Sequence, residues 1–398
     1  MVILTFLFGA LHGAPTDCNA TSKEPTVTVE VPGNPFQALP SVDGCWIFVS
    51  IPAGQSGNQS VIALYKRSSG ALSLVRTLPI EGGPTGMALT HDGKTLVIAD
   101  GDRVAFVDAD RLTHGRDDAV LGYLMDSTAK GRVYANVTSD DKFAFIADEN
   151  SKTVSVINLA RARATHFDVG ATVGKIPTGT LPIALTFSRD GKLIYITSQW
   201  APESYGWPIE CKRETNNPMN DSTPVNPQGA IHVVDVARAT KDPANAIVNN
   251  VRAGCSAVRL VLSPKGDRAY VTARNSNMLL AFDAAKLRAD SAHALVGRVP
   301  VGPAPVGVAV VNAGREIIVT NSNRFAGGTN DQQTLTVIDA SKLAAGDKAI
   351  IGSIPAGAFP REMRVTSDGR TLILTNFGSR SIEMIDLARI PKPPAPPR

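Results

Sequence analysis

The dipeptide Asp-Gly recurs along this chain between two apolar runs, and that recurrence leaves few folds open. The clearest copy begins at Pro84 and reads PTGMALTHDGKTLVIAD, followed by DRVAFVDA. Others read LPIALTFSRDGKLIYITS with AIHVVDVA, SAVRLVLSPKGDRAYVTA with NMLLAFDA, APVGVAVVNAGREIIVTN with TLTVIDAS, and FPREMRVTSDGRTLILTN with SIEMIDLA. Two copies are degenerate, NPFQALPSVDGCWIFVS and RVYANVTSDDKFAFIAD with TVSVINLA. Each describes an apolar strand, a tight turn and a second strand, and most add a third strand ending in Asp. Asp-Gly suits the turn because a two-residue hairpin needs positive φ. Counting back from each turn glycine, or from Asp141 in the third copy, places inner-strand starts at Pro35, Pro84, Arg132, Pro182, Ala257, Pro305 and Pro360. Seven copies at a period of roughly 40–50 residues predict an all-β, seven-bladed β-propeller, because one such repeat cannot bury its own faces.

A length of 398 residues would otherwise admit two domains, but the repeat assigns residues 26–390 to one closed body. The segment TVTVEVPGNP (26–35) reads like the end of a repeat, whereas the last repeat stops after its third strand. Residues 26–32 are therefore expected to supply the outer strand of the final blade, which removes an open sheet edge. The tail PKPPAPPR (391–398) cannot be strand and reads as a polyproline II stub or a structureless end. Residues 1–14, MVILTFLFGALHGA, are too short an apolar run to span a membrane. They fit the core of a secretory signal segment, although a basic start and an A-x-A site are missing. Export, to the periplasm or outside the cell, is the expectation; a plain apolar terminus is the alternative.

Two insertions break the rhythm, 199–228 in blade four and 322–333 in blade six. Both fall between second and third strands, on the face that also carries the blade-to-blade connections. Loops on a rigid scaffold carry function more often than the scaffold does, so this insertion face is the expected site of recognition. The four cysteines form no C-x-x-C and no C-x-x-C-H, which excludes covalent c-type haem and argues against a zinc ribbon. An even count in an exported chain favours disulfides. Of three possible connectivities, topology favours Cys18–Cys45 and Cys211–Cys255, each pair lying on one face. Sequons stand at Asn19, Asn58, Asn136 and Asn220, and Asn136, in an inner strand, is expected to be bare.

The phrases PVGVAVVNAGREIIVTN with TLTVID, and AYVTARNSN, resemble the YVTN-repeat family of seven-bladed propellers over about residues 26–390. In blade one, SVIALYKRSSGALSLVRTLPIEGGPTGMAL is similar to the lactonase branch of seven-bladed propellers. The resemblance implies the architecture. It leaves the activity open, because such families include sugar-lactone hydrolases, muconate-lactonizing enzymes and proteins with no known reaction.

Two residues past each inner-strand start, the tunnel column reads Gln37, Gly86, Tyr134, Ala184, Arg259, Gly307 and Glu362. Arg361 and Arg364 flank Glu362, and Asn136 lies deeper on its strand. An arginine clamps a carboxylate bidentately, and a glutamate in a dry tunnel can act as general base. Glu362 and Arg259 are thus candidate catalytic residues for an anionic lactone; the other reading is a structural ion pair that plugs the tunnel. Gln37, Tyr134, Asn136, Arg361 and Arg364 are candidate ligand contacts, as are Trp200, Tyr205 and Trp207 in the blade-four insertion, unless those aromatics only pack the insertion onto the rim. Related lactonase-like and lyase-like propellers use a histidine at this mouth. Here only His232 comes near it, and none lies on an inner strand. No histidine cluster suits copper, zinc or iron. Asp100, Asp102, Asp148, Glu149 and Asp331 are oxygen donors without calcium-loop spacing, best read as solvated loop charge. No metal or cofactor is expected. A net charge of +4 without a basic stripe argues against nucleic acid, and a monomer is expected. The two functional readings are a module binding a small molecule or protein through the insertion face, and a lactonase-like hydrolase at the tunnel mouth.

Overall fold

A computed structural model describes residues 17–53, 59–213, 223–325 and 333–393. The signal-like segment 1–14, the sequons at Asn58 and Asn220, Asp331 and the end of the proline-rich tail lie outside the described residues. Seven four-stranded antiparallel sheets each run from an inner to an outer strand, and successive inner strands touch around an axis. Blade one comprises Gln37–Pro40, Trp46–Ile51, Val61–Ser68 and Ala71–Pro79. The last blade comprises Pro360–Val365, Thr371–Asn376 and Ser381–Asp386, and Thr26–Glu30 completes it from the other end of the chain. That closing strand pairs antiparallel with Ser381–Asp386, from Thr26 opposite Ile385 to Glu30 opposite Ser381.

The turns are longer than the two residues expected. In blade two the Thr90 amide donates to Thr95 O (2.9 Å) and the Gly93 amide to Thr90 O (2.8 Å), so residues 91–94 separate the strands. Thr90 Oγ1 donates to Asp92 Oδ1 at 2.6 Å, and the same bond recurs at Thr138–Asp140, Ser188–Asp190 and Thr366–Asp368. The aspartate fixes the turn through its side chain. The following residue takes the left-handed conformation, Gly93 at φ +74° and Asp141, in the degenerate copy, at +54°.

The aspartates that end third strands do more than close a turn. Asp108, Asn158, Asp235 and Asp283 each accept a bond from a backbone amide two or three residues on and N-cap a short helix. Second strands such as Thr95–Asp100 and Thr371–Asn376 are buried along their whole length. The core therefore lies between blades: Phe48, Ile62 and Leu64 of blade one pack against Met87, Leu96 and Ile98 of blade two. Disulfides join Cys18 to Cys45 and Cys211 to Cys255. The second ties the insertion hairpin Ile209–Lys212/Pro224–Pro227 to the connection between blades four and five. Among the described residues no helix is long and apolar enough to cross a membrane.

Candidate functional site: a charged cluster on the propeller axis

The site grows out of a β-bulge. Six inner strands shift register just after they begin, for example between Ala257 and Leu260 and between Pro360 and Glu362. A bulge sets two residues against one, so two consecutive side chains reach the axis. In four of the six blades a hydroxyl on the second strand holds the bulge. The amides of Ala184, Arg259, Gly307 and Glu362 donate to Thr197, Thr272, Thr320 and Thr375 Oγ1 at 2.7–3.2 Å. Thr197 and Thr272 pass the bond on to the carbonyls of Val258 and Val306 in the next blade at 2.7 and 2.8 Å. The threonine of the I-T or V-T phrase is thus a lock between inner strands at blades four and five.

The first residues of the bulged pairs in blades four, five and six build an apolar septum. Ile183, Val258 and Val306, all buried, pack together with Phe359, and Arg361 stacks on Phe36 with its guanidinium carbon 3.7 Å from the ring centroid. The second residue builds the charged cluster. Arg259 Nε donates to Glu362 Oε2 at 2.7 Å, Arg364 Nη1 lies 2.8 Å from Oε1, and the Tyr134 hydroxyl donates to Oε1 at 3.1 Å. Arg364 also donates to the Tyr134 oxygen, and Arg259 sits over the Tyr134 ring at 4.5 Å. Glu362 and Arg259 are buried, whereas the Arg364 side chain is 30% exposed. Arg259 Nη1 is buried without a hydrogen-bond partner. Burial pushes the Glu362 carboxyl up, but Arg259, Arg364 and the Tyr134 bond outweigh it and hold the group below its ordinary value.

These residues floor a cavity of about 620 Å³. Its walls include Met87, Val261 and Val308, and its rim includes Val42 and His91, in turns between first and second strands. The cavity therefore opens on the turn face, opposite the insertions. The expected mouth beside the insertions is corrected on this point: the cavity over the charged cluster is lined by turn residues such as Val42 and His91 and by none from the insertions.

The remaining candidates separate. Gln37 is fully buried and its Oε1 accepts from the Met87 amide, a bond between blades. Asn136 lines the cavity, but its Nδ2 donates to Leu185 O at 2.7 Å and its Oδ1 accepts from the Val137 amide, so both ends of its amide also hold the scaffold. Trp200 ends a second strand. Tyr205 and Trp207 lie together outside blade four, ring centroids 5.2 Å apart, with Arg252 over Trp207 at 5.5 Å. None of the three lines the axial cavity.

His232 is fully buried in blade four. Its Nδ1 lies 2.6 Å from Asn250 Oδ1, which can only accept, so Nδ1 carries the proton. Nε2 then accepts from Ser198 Oγ at 2.9 Å and the Gly179 amide at 3.2 Å. Burial lowers the His232 pKa to about 4. The Tyr205 hydroxyl, 3.2 Å from Nδ1, ties the insertion to this network. Of the acidic residues, Asp100 is buried against Gly82 and pushed up to about 6 by desolvation. Asp148 accepts from Ser155 and Thr153, and Asp102 pairs with Lys130. Among the described residues no three His, Cys, Asp or Glu side chains converge as a metal site would require.

On the insertion face, Glu149, Arg274, Arg324 and Phe377 follow second strands and surround the outer side of the septum. Sequence reasoning passed over Arg274, Arg324 and Phe377. The available signal was their place after the repeated second strand, directly for Arg274 and Phe377 and three residues on for Arg324.

No family model matches the chain, and no curated protein sequence does. Solved structures do. Kuenenia stuttgartiensis hydrazine synthase aligns over 96% of this chain and 99% of its own, with a TM-score of 0.63 and 16% identity. The β-propeller domain of Myceliophteria thermophila Cps50 (Swd1) aligns over 91% and 99%, with a TM-score of 0.62 and 12% identity. The Pseudomonas aeruginosa periplasmic gluconolactonase PpgL aligns over 85% and 88%, with a TM-score of 0.62 and 19% identity. At these identities the likeness shows the seven-bladed propeller fold and nothing about activity.

Proposed function

We propose that this protein is an exported, monomeric propeller of the YVTN type that binds a small organic anion in its axial cavity. One observation carries the reading: two guanidinium groups, Arg259 and Arg364, share a single carboxylate, Glu362, at the floor of a cavity with apolar walls. An incoming carboxylate supplies the missing charge, and the planar guanidinium forks suit it. Met87, Val261 and Val308 offer apolar surface to the rest of the ligand. The two disulfides support export, since such bonds persist in oxidising compartments.

Lactonase-like hydrolysis through Glu362 is the less supported reading. A general base working near neutral pH needs a raised pKa, and Glu362 is held low between two arginines. The test is titration of the folded chain with the fluorescent anion 1-anilinonaphthalene-8-sulfonate. Arg364→Met should weaken binding at least about tenfold, roughly 1.4 kcal/mol. Glu362→Gln should strengthen it, because it removes the competing carboxylate. A wild type that turns over a lactone while Glu362→Gln does not would replace binding with hydrolysis.

A further inference from the structure

The other side of the septum also carries more positive than negative charge. Arg361 precedes Glu362 in the chain, and the bulge sends it toward the insertion face. Its guanidinium carbon lies 3.7 Å from the Phe36 centroid and 5.6 and 5.7 Å from those of Phe359 and Phe377. Among the described residues that guanidinium has no carboxylate partner, and its Nε is buried without a hydrogen bond. The charged groups that face it are Arg259, Arg324, Glu362 and Glu149. Glu362 is already held by Arg259 and Arg364. Glu149 also faces Arg274 and Arg324. Burial and the neighbouring arginines together lower the Arg361 pKa to about 9. A cation set among phenyl rings gains from their faces; Arg361 is half-buried, with its Nε enclosed, so the outer part of its guanidinium stays open to an incoming anion.

We propose that the insertion-face end of the axis is a second ligand site, separate from the cavity, which takes a flat organic anion. Its carboxylate or phosphate pairs with Arg361, and its apolar body lies against Phe359 and Phe377, which are half-buried, whereas Phe36 is buried beneath the guanidinium. The septum keeps the two sites apart, so each fills without the other.

The experiment titrates the full chain with benzoate and, in parallel, phenyl phosphate, by calorimetry and by thermal melting. Wild type should bind two equivalents of at least one probe. Arg364→Met should keep the insertion-face equivalent, Arg361→Met should keep the cavity equivalent, and the double variant should bind none. The better probe identifies the headgroup. Unliganded Arg361→Met should melt within a few degrees of wild type, because Arg361 has no carboxylate partner to lose. The proposal is overturned if Arg361→Met retains both equivalents, if it melts well below wild type or fails to fold, or if Arg364→Met alone abolishes all binding.

Discussion

Two buried polar clusters in this propeller look alike on paper and differ in what they can do. The axial cluster of Glu362, Arg259, Arg364 and Tyr134 draws on three blades and floors an open cavity with more positive than negative charge. The blade-four cluster of Ser198, His232 and Asn250 has the bond order of a hydrolytic triad, yet Ser198 and His232 are wholly buried, and both ring nitrogens are bonded within the scaffold. A catalytic-looking constellation becomes a site only where it has access and an unmet electrostatic demand. The axial cluster has both. In blade four, each hydrogen bond replaces one that water would otherwise make.

The largest effect expected from breaking this contrast lies at Glu362. Glu362→Gln leaves two arginines without their counter-ion and should cost about 3–5 kcal/mol of unfolding free energy in urea melts without ligand. A loss under about 1 kcal/mol would mean the arginines were never balanced by that carboxylate. Next comes pH. His232 has a folded pKa of about 4 against an ordinary value of 6.5, so above pH 6.5 it is neutral in both states and costs nothing. As pH falls toward 4 the unfolded chain takes the proton first, and roughly 3 kcal/mol of stability should be lost. A His232→Gln variant should lack that slope, and an unchanged profile would put His232 in contact with water. Smaller again, Arg364→Met should leave stability within about 1 kcal/mol, since its side chain reaches solvent, while weakening anion binding. Equal loss of stability and of binding would make Arg364 a scaffold residue, like those around His232. An effect of comparable size is expected at Tyr205. Tyr205→Phe removes one of two partners of Nδ1 and should cost about 0.5–1.5 kcal/mol, less than Asn250→Ala in the same melts.

Much of the fold is legible in the residue pattern because its signals are local. Thr90, Asp92 and Gly93 lie within four residues and specify a turn by themselves, although the side-chain bond that lengthens it was not apparent. The closing strand, Thr26–Glu30, was legible because it resembles ends of other repeats. Glu362 and Arg259 could be brought to one column by counting from strand starts. Three things could not be read: that Arg364 shares the same carboxylate, that Asn136 has both ends of its amide occupied, and that the mouth opens away from the insertions. Each depends on how bulged inner strands meet across the axis. Arg259 and Glu362 are 103 residues apart, and Tyr134 and Glu362 are 228 apart.

By itself the sequence determined the number of blades, their turns and the latch that closes the ring, because apolar periodicity and turn chemistry act over a few neighbouring residues. Only the tertiary structure decided which side of the axis is open, which arginine is paired and which is not, and that His232 belongs to the scaffold. Those outcomes follow from side-chain direction at the bulges and from charges brought together by blade-to-blade packing, and neither leaves a mark on local sequence.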